Sequence, residues 1–274
     1  MPLNPASPPA EPERDVPATA YEGPVVISRL EFAGTAIALV RPGEPDRMLD
    51  DPVVRELNRR EDYMPYWAYL WPGACLLAQA VATEPAEAFD RLCGPAGARR
   101  EVLEIGCGVG LAGLVAVARG LRVLFTDYDP APLDFVRRSA RASGFDEADY
   151  RTGLLDWRTP PELRSPLILG SDLLYEARLV PLVAGLLAGL LEEGGEAWIS
   201  DPGRGSAAPF ASEVGLRGME CRAEPIGARS EGGEAVEGVL YRVRRPISGP
   251  APDQAPGRGR GTGAPGRPGS DGSG

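Results

Sequence analysis

Histidine and lysine are both absent from the 274 residues of this chain, so all 29 of its basic residues are arginines. Ser-His-Asp and Cys-His catalytic sites and histidine-ligated metals require histidine, whereas Schiff-base and P-loop chemistry require lysine. The chain cannot form any of those sites from its own residues. Its few cysteines show no Cys-x-x-Cys spacing, which predicts buried thiols in a reducing compartment and no metal site. They are Cys75, Cys93, Cys107 and Cys221.

Long apolar runs and positive net charge are missing as well. No run reaches the roughly 18 residues of a membrane span, and the N-terminal stretch lacks the apolar core of a signal peptide. We therefore expect a cytoplasmic protein with no membrane partner. The net charge of −10 disfavours binding to a phosphate backbone, so no nucleic-acid partner is expected. It favours a basic partner such as a lysine-bearing protein surface.

Composition changes near both ends predict three segments. Residues 1–23 are rich in Pro, Ala and Glu, and residues 246–274 are mostly Gly, Pro, Ser and Arg. Neither segment can bury enough apolar surface to offset its ordering entropy, so both are expected to be disordered tails. Residues 24–245 then form one domain. Its first part, 24–62, is predicted to be a cap that starts with a β-hairpin over 25–41.

From residue 100 onward, strand and helix patterns alternate, which predicts a parallel sheet covered by helices on both faces. Asp129-Pro130 marks the start of one helix and Gly194-Gly195 the end of another. Residues 219–225 and 236–244 are expected to close the sheet as an antiparallel pair, which gives seven strands in an α/β fold. The other strands are predicted near 101–105, 121–126, 150–155, 166–171 and 195–200, and the helices near 72–82, 110–119, 130–143 and 176–192.

A glycine-rich loop follows the first strand of this sheet. Residues 102–113 read Val-Leu-Glu-Ile-Gly-Cys-Gly-Val-Gly-Leu-Ala-Gly, and alternate glycines at the start of a helix allow backbone to approach a bound cofactor. A dinucleotide fingerprint would need a third glycine where Leu111 stands. Glu104 precedes the loop, and Asp127 ends the next apolar run 21 residues after Gly106, a spacing that suits a ribose. An ordinary strand-to-helix turn is the alternative interpretation.

A second motif ends the fourth predicted strand, where Asp172 and Tyr175 stand three residues apart. The alternative interpretation is an Asp that caps the next helix and a Tyr that packs in the core.

The two motifs together resemble the class I, seven-strand S-adenosylmethionine-dependent methyltransferases. The spacing of acid, glycine loop and acid is similar to their nucleoside-methionine pocket, and Asp-x-x-Tyr resembles the motif of those that methylate lysines of non-histone proteins. Three further segments are similar to the branch that modifies the β subunit of electron transfer flavoprotein, and the resemblance spans residues 25–245. These segments are Pro65-Tyr66-Trp67-Ala68, Trp71-Pro72-Gly73 and Asp201-Pro202-Gly203-Arg204.

The resemblance implies a Rossmann-like, mostly parallel sheet and S-adenosylmethionine as the cofactor. It implies that Glu104 faces the amino acid end of the cofactor, that Asp127 binds the ribose and that residues 155–157 meet the adenine. The full set of implied cofactor-binding residues is Glu104, Gly106, Cys107, Gly108, Gly110, Asp127, Tyr128, Leu155, Asp156, Trp157, Trp71 and Ser171.

The resemblance also implies the acceptor site, with Asp172 and Tyr175 as catalytic and substrate-binding residues. Asp172 would capture and aim an ammonium group, and Tyr175 would wall the site. Arg204 is expected to contact the substrate or, equally well, to pair with a nearby acid. Trp67 is a further substrate-binding candidate, with core packing as its alternative.

We therefore expect a methyltransferase that acts on a protein lysine, with the flavoprotein β subunit as the leading partner. One alternative acceptor is a small amine or a pyridine nitrogen, and a non-catalytic cofactor-binding module is a third possibility. An open acidic site would favour a protein acceptor, whereas a closed apolar pocket would favour a metabolite.

Overall fold

The computed structural model describes residues 19–247 and contains two sheets. An N-terminal antiparallel hairpin pairs strands β1 and β2, and a larger sheet of seven strands, β3 to β9, forms the centre of the domain. The strands are β1 Val25–Phe32, β2 Thr35–Pro42, β3 Val102–Ile105, β4 Val123–Asp127, β5 Tyr150–Leu154, β6 Ser165–Ser171, β7 Leu191–Asp201, β8 Glu220–Arg229 and β9 Ala235–Arg244.

Seven α-helices are assigned within residues 19–247. Short 3-10 turns at Pro45–Asp50, Tyr66–Ala68 and Gly205–Ala207 supplement them. The helices are α1 Pro52–Glu61, α2 Pro72–Thr83, α3 Ala86–Cys93, α4 Leu111–Ala118, α5 Pro130–Ala142, α6 Leu179–Leu190 and α7 Phe210–Gly215.

Strands of the large sheet are ordered β5-β4-β3-β6-β7-β9-β8. The first five run parallel, and β9 is antiparallel to both of its neighbours. The predicted α/β fold with a closing antiparallel pair is thereby confirmed. The order reverses where β3 meets β6, and in such sheets ligands bind outside the carboxyl ends of the strands at that point.

Alternation of side chains along the central strands builds two cores, one on each face of the sheet. In β7, Trp198 packs with α2, α3 and α4, whereas Ala197 and Ile199 pack with α6 and α7. In β6, Leu167 and Ile168 divide in the same way. Helices therefore cover both faces, as the sequence pattern predicts.

The start of α5 also follows the sequence prediction. The Asp129 Oδ1 accepts a hydrogen bond from the Ala131 N–H at 2.8 Å, and Pro130 occupies the first helical position. This confirms the predicted cap, which satisfies a backbone donor that has no partner within the helix.

The predicted role of Gly194-Gly195 as a helix end was wrong. Helix α6 ends at Leu190, and both glycines lie within β7, where the pairing with β6 shifts register. Gly194 has a φ of +77°, and a Cβ on Gly195 would lie 2.8 Å from the Pro166 carbonyl oxygen. These glycines permit a bulge in close contact with the neighbouring strand.

Helices α1, α3 and α7 were not predicted. All three are short, with 10, 8 and 6 residues. Each buries apolar side chains on the domain, as Val54 of α1, Phe89 of α3 and Phe210 of α7 show. Helices of this length depend on tertiary packing more than on intrinsic propensity.

Most of the predicted tails, residues 1–18 and 248–274, lie outside the described residues. Of the predicted N-terminal tail, residues 19–23 are described, and two of them contact the domain. The Thr19 hydroxyl donates to Asp129 Oδ2 at 2.5 Å, and the Tyr21 ring packs edge-on against Phe135. Within residues 19–247, helices long and apolar enough to cross a membrane are absent, and so are acidic or cysteine clusters that could hold a metal ion.

Candidate cofactor and acceptor site

A cavity of about 650 Å³ lies at the carboxyl ends of the central strands. Segments far apart in the sequence meet in it, and most residues singled out from the sequence line it. These are Trp67, Trp71, Gly106, Cys107, Gly108, Asp127, Tyr128, Asp156, Trp157, Ser171, Asp172, Tyr175 and Arg204. Three others, Glu104, Gly110 and Leu155, lie outside this lining.

The glycine loop has backbone conformations that residues with a side chain rarely adopt. Gly106, Gly108 and Gly110 have φ values of +56°, +51° and +77°. A Cβ on Gly106 would lie 2.9 Å from both Leu173 Cδ2 and Trp157 Cζ2. Glycine is therefore required here both for backbone geometry and for close packing beside the cavity.

Gly110 serves the fold instead of the cavity. It precedes the first residue of α4, and a Cβ there would lie 2.7 Å from Val136 and 3.2 Å from Phe125. Gly110 packs against α5 and β4 outside the cavity lining, and its predicted contact with the ligand stays a prediction.

Glu104 also differs from the expectation. It is only 1 % exposed, and a Cβ on Gly113 in the first turn of α4 would lie 2.3 Å from Glu104 Oε2. Burial raises the pKa of Glu104 to about 8, with partial compensation from the Gly113 N–H. The buried Glu104 carboxyl group thus packs against the first turn of α4 and lies outside the cavity lining, where the resemblance implies a contact with the ligand.

Asp127, the predicted ribose ligand, ends β4 and lines the cavity. Its Oδ2 accepts from the Gly108 N–H at 2.9 Å, and its Oδ1 accepts from the Asp129 N–H at 3.1 Å. Burial raises its pKa to about 6, against the effect of these N–H groups. The Tyr128 N–H also contacts this carboxylate.

The wall expected to meet the adenine carries an ion pair that sequence reasoning missed. Arg158 binds Asp156 in a bidentate manner, with Nε–Oδ1 and Nη2–Oδ2 distances of 2.9 and 3.0 Å. The Arg158 guanidinium also lies 5.3 Å from the centre of the Tyr128 ring. Leu155 is buried and lies outside the cavity lining. Its N–H donates to the Asp127 carbonyl.

Asp172 lies at the acceptor end of the cavity, directly after β6. It is 8 % exposed and has a φ of +57°. Its Oδ1 accepts from Arg204 Nη1 at 2.6 Å, whereas its Oδ2 has no hydrogen-bond partner among the described residues. A Cβ on Gly73, in the first turn of α2, would lie 2.3 Å from that Oδ2. The glycine of Trp71-Pro72-Gly73 therefore makes room for the acid of the Asp-x-x-Tyr motif.

Charge around Asp172 is balanced by Arg204. Burial raises the pKa of Asp172, and the Arg204 guanidinium opposes that shift. Arg204 also contacts Asp201, so of its two predicted roles the structure shows pairing with acids.

Aromatic side chains form the rim of the acceptor end. Tyr66 packs edge-on against both Tyr175 and Trp71, with ring centres 5.4 and 5.9 Å apart, and Tyr69 packs on Trp71. Tyr66 and Tyr175 are 39 % and 40 % exposed, so this rim of the cavity lies at the surface. Tyr66 and Tyr69 were not singled out from the sequence, although five aromatic residues within positions 63–71 are a signal for such a cluster.

Trp67 packs mainly in the core. It is buried against Phe135, its Nε1 donates to the Tyr63 hydroxyl at 3.2 Å, and Tyr63 in turn donates to Asp129. The packing interpretation applies to most of this side chain.

A surface ion pair crosses the cavity rim and was also missed. Arg178 binds Asp62 at the end of α1 and Glu176 beside Tyr175, at 2.9 and 2.5 Å. It connects the cap to the loop after β6.

The sequence of this chain matches the model of a known protein family. The sequence model described as lysine methyltransferase matches residues 66–202, which is half of the chain. This range contains the glycine loop, Asp127 and the Asp-x-x-Tyr motif.

Curated relatives include protein methyltransferases of two other types. Histone-arginine methyltransferase METTL23 is 31% identical over 120 residues in Mus musculus, covering 42% of this chain and 44% of that protein. The Xenopus laevis protein of that name is 32% identical over 150 residues, covering 51% and 56%. Histidine protein methyltransferase 1 homolog of Dictyostelium discoideum is 31% identical over 108 residues, covering 37% and 34%.

The chain thus spans between one third and just over half of the length of these relatives. The family match rests on broader evidence, since it covers half of this chain and contains both motifs of the cavity. The chain belongs to the lysine methyltransferase family, with S-adenosylmethionine as its cofactor.

Proposed function

We propose that this protein transfers a methyl group from S-adenosylmethionine to the ε-amine of a lysine in a protein, and that the β subunit of electron transfer flavoprotein is its leading substrate. The observation that carries the proposal is the position of Asp172. One buried carboxylate, with a single oxygen paired to Arg204, lies at the acceptor end of the cavity that contains the glycine loop.

The residues of the other end fit the cofactor. Gly106 and Gly108 supply backbone at the cavity surface, Asp127 supplies a carboxylate there for the ribose, and Trp157 offers an apolar face for a base. These are the groups that a nucleoside with an amino acid tail requires.

The reaction needs little from the protein beyond alignment and charge. The bound cofactor supplies a methyl group on a sulfonium, so an N–C bond forms as a C–S bond breaks, and the amine loses a proton. A free lysine has a pKa of about 10.4, so only about one in 2,500 is neutral at pH 7. Asp172 attracts and aims the ammonium, while loss of water and the nearby sulfonium lower the pKa of the amine. The chain has no histidine, so the proton leaves to water, either directly or by way of Asp172 or Tyr175.

The ion pairs of the cavity favour lysine over arginine as the acceptor. A guanidinium is bound best by a carboxylate with both oxygens open, whereas an ammonium is a compact charge that one oxygen can hold. In this cavity Asp172 has an oxygen occupied by Arg204, and Arg158 occupies both oxygens of Asp156. Arg178 likewise engages the two acids of the rim.

The open rim favours a protein acceptor over a metabolite. Tyr66 and Tyr175 line the cavity and yet are about two fifths exposed. A side chain that projects from a protein surface can reach the cavity past this exposed rim, whereas small-molecule sites bury most of their ligand. A small amine is the second candidate.

The test is methylation of a defined protein with labelled cofactor. Purified enzyme, methyl-labelled S-adenosylmethionine and either recombinant flavoprotein β subunit or host lysate are incubated, and the labelled residue is located by mass spectrometry. We expect label on lysine, lost in Asp172→Asn and retained in Arg151→Met, which removes an exposed arginine bound to Glu101. Label on arginine or histidine, or only in small molecules, would contradict the lysine assignment. Lysine label in other proteins only would reject the flavoprotein.

A further inference from the structure

Arg204 forms ion pairs with two acids from neighbouring strands. Its Nη1 lies 2.6 Å from Asp172 Oδ1 and 3.2 Å from Asp201 Oδ2. Asp172 follows β6 and Asp201 ends β7, and these strands are adjacent in the sheet. Two carboxylates and one guanidinium leave one negative charge beside the cavity, which suits a single ammonium group.

Asp201 fixes both the backbone and the side chain of Arg204. Its Oδ1 accepts from the Gly203 and Arg204 N–H groups at 2.8 and 2.6 Å, while its Oδ2 contacts the guanidinium. Asp201 is itself fully buried. Pro202 followed by Gly203 at a φ of +87° is the residue pattern of a tight turn with a left-handed second position. The turn formed by Asp-Pro-Gly-Arg thus holds the Arg204 guanidinium beside Asp201.

We propose that Arg204 is a positioning residue, which keeps Asp172 ionised and holds its carboxylate in place at the acceptor end of the cavity. The inference rests on the proposed function, because the role of the Asp172 charge is to attract a lysine ammonium group. The charge itself can be measured without any substrate.

Electrostatics around Asp172 explain why a counterion is needed. Burial raises the pKa of Asp172, and Asp201 adds to that shift, whereas Arg204 and the first turn of α2 oppose it. From α2 the Cys75 thiol also faces this acid, but its own pKa is raised to about 11, so it brings no charge at neutral pH. Without Arg204, a buried carboxylate beside Asp201 would take up a proton. A neutral Asp172 could not attract an ammonium group.

The direct test is an NMR titration of the full chain with ¹³Cγ-labelled aspartate. The Asp172 resonance is assigned by its absence in Asp172→Asn. In Arg204→Met we expect the apparent pKa of Asp172 to rise by at least one pH unit, a tenfold change in its ionisation constant. Arg204→Lys should fall between wild type and Arg204→Met, because it keeps a charge but loses the planar guanidinium. Arg151→Met, the matched control, should leave the value unchanged.

An unchanged Asp172 pKa in Arg204→Met, in protein that binds S-adenosylmethionine as wild type does, would overturn the proposal. If that variant does not fold, Arg204→Gln decides in its place, since it keeps a polar side chain and removes only the charge.

Activity gives a second readout, which a purely structural role would not move. In Arg204→Met the acid limb of the kcat/KM profile should shift to higher pH by the same amount. The rate of Arg204→Met relative to wild type should then be lowest on the acid limb, by about tenfold for a shift of one pH unit, and approach wild type above it. A rate that is reduced equally at every pH would contradict this role. If no variant methylates any protein, the proposed function fails, while the titration still decides the role of Arg204.

Discussion

The cofactor end and the acceptor end of the cavity are built on different principles. The cofactor end is centred on the backbone of one strand-loop-helix unit, with Asp127 from the neighbouring strand and residues 156–158 from the loop after β5. The acceptor end consists of long side chains from three distant segments, 66–73, 172–175 and 201–204, joined by ion pairs and ring contacts. A backbone site can be recognised from local spacing, whereas a side-chain site depends on which segments the fold brings together.

Each end also places a buried acid against a glycine in the first turn of a helix. Glu104 lies against Gly113 of α4, and Asp172 lies against Gly73 of α2. Only Asp172 has an arginine partner and only Asp172 lines the cavity. The same local arrangement therefore favours a neutral acid at Glu104, which has no counterion, and a charged acid at Asp172, which has one.

The largest expected effect is on stability and concerns Glu104. Its folded pKa of about 8 lies above the ordinary value of 4.5, so the folded state binds more protons than the unfolded state over that range. The free energy of unfolding should therefore fall as pH rises through it, by at most about 5 kcal/mol from this group. Denaturant titrations at pH 5 and pH 8 should show this fall in wild type and not in Glu104→Gln. Equal pH dependence in both proteins would refute a neutral Glu104.

Asp172→Asn should have the largest effect on catalysis. The side chain keeps its size but cannot attract an ammonium group, so methylation should slow by at least about a hundredfold. Affinity for S-adenosylmethionine, measured by calorimetry, should change less than about threefold. A comparable loss of cofactor affinity would show that the two ends of the cavity are not separable.

Gly106→Ala should act on the opposite end. The added methyl group would contact Leu173 and Trp157 in a left-handed conformation, so cofactor affinity should fall at least about tenfold. Gly34→Ala is the matched control. That glycine also has a positive φ, but its Cβ would meet nothing within 4 Å, so cofactor affinity should be retained there.

Gly73→Ala should also affect the acceptor end without affecting the cofactor end, and it should slow methylation less than Asp172→Asn does. Its methyl group would displace the Asp172 carboxylate and slow turnover by about tenfold, with cofactor affinity retained. In Gly189→Ala, a helical glycine of α6 with open space around its Cβ, turnover should match wild type.

The smallest effect expected is the pH dependence of cofactor binding through Asp127. Hydroxyl donors favour its ionised form, and its pKa is about 6, so affinity should rise with pH up to that value and then level off. Between pH 7 and pH 5 the loss should reach at most about tenfold. Calorimetry on Asp127→Asn should show weaker binding without this dependence, and a sloped profile there would assign the effect to another group.

Sequence reasoning succeeded where the controlling interactions are local. The cap at Asp129-Pro130 and the turn after β3 lie within a few residues of the elements they control. It failed at Gly194-Gly195, because a glycine pair serves a helix end or a strand bulge equally well, and the contact with Pro166 of β6 decides between them. It left Arg204 with two roles, because nothing local indicates that β6 and β7 are neighbours.

The glycine loop, the acid after the next strand and the Asp-x-x-Tyr motif can be read directly from short stretches of sequence, and their resemblance to a known family implies the cofactor. The burial of Glu104 without a counterion, and the pairing of Asp172 with Arg204, can be seen only in the folded chain. The charge of a buried acid depends on the groups that share its environment, and those groups come from segments that the fold alone brings together.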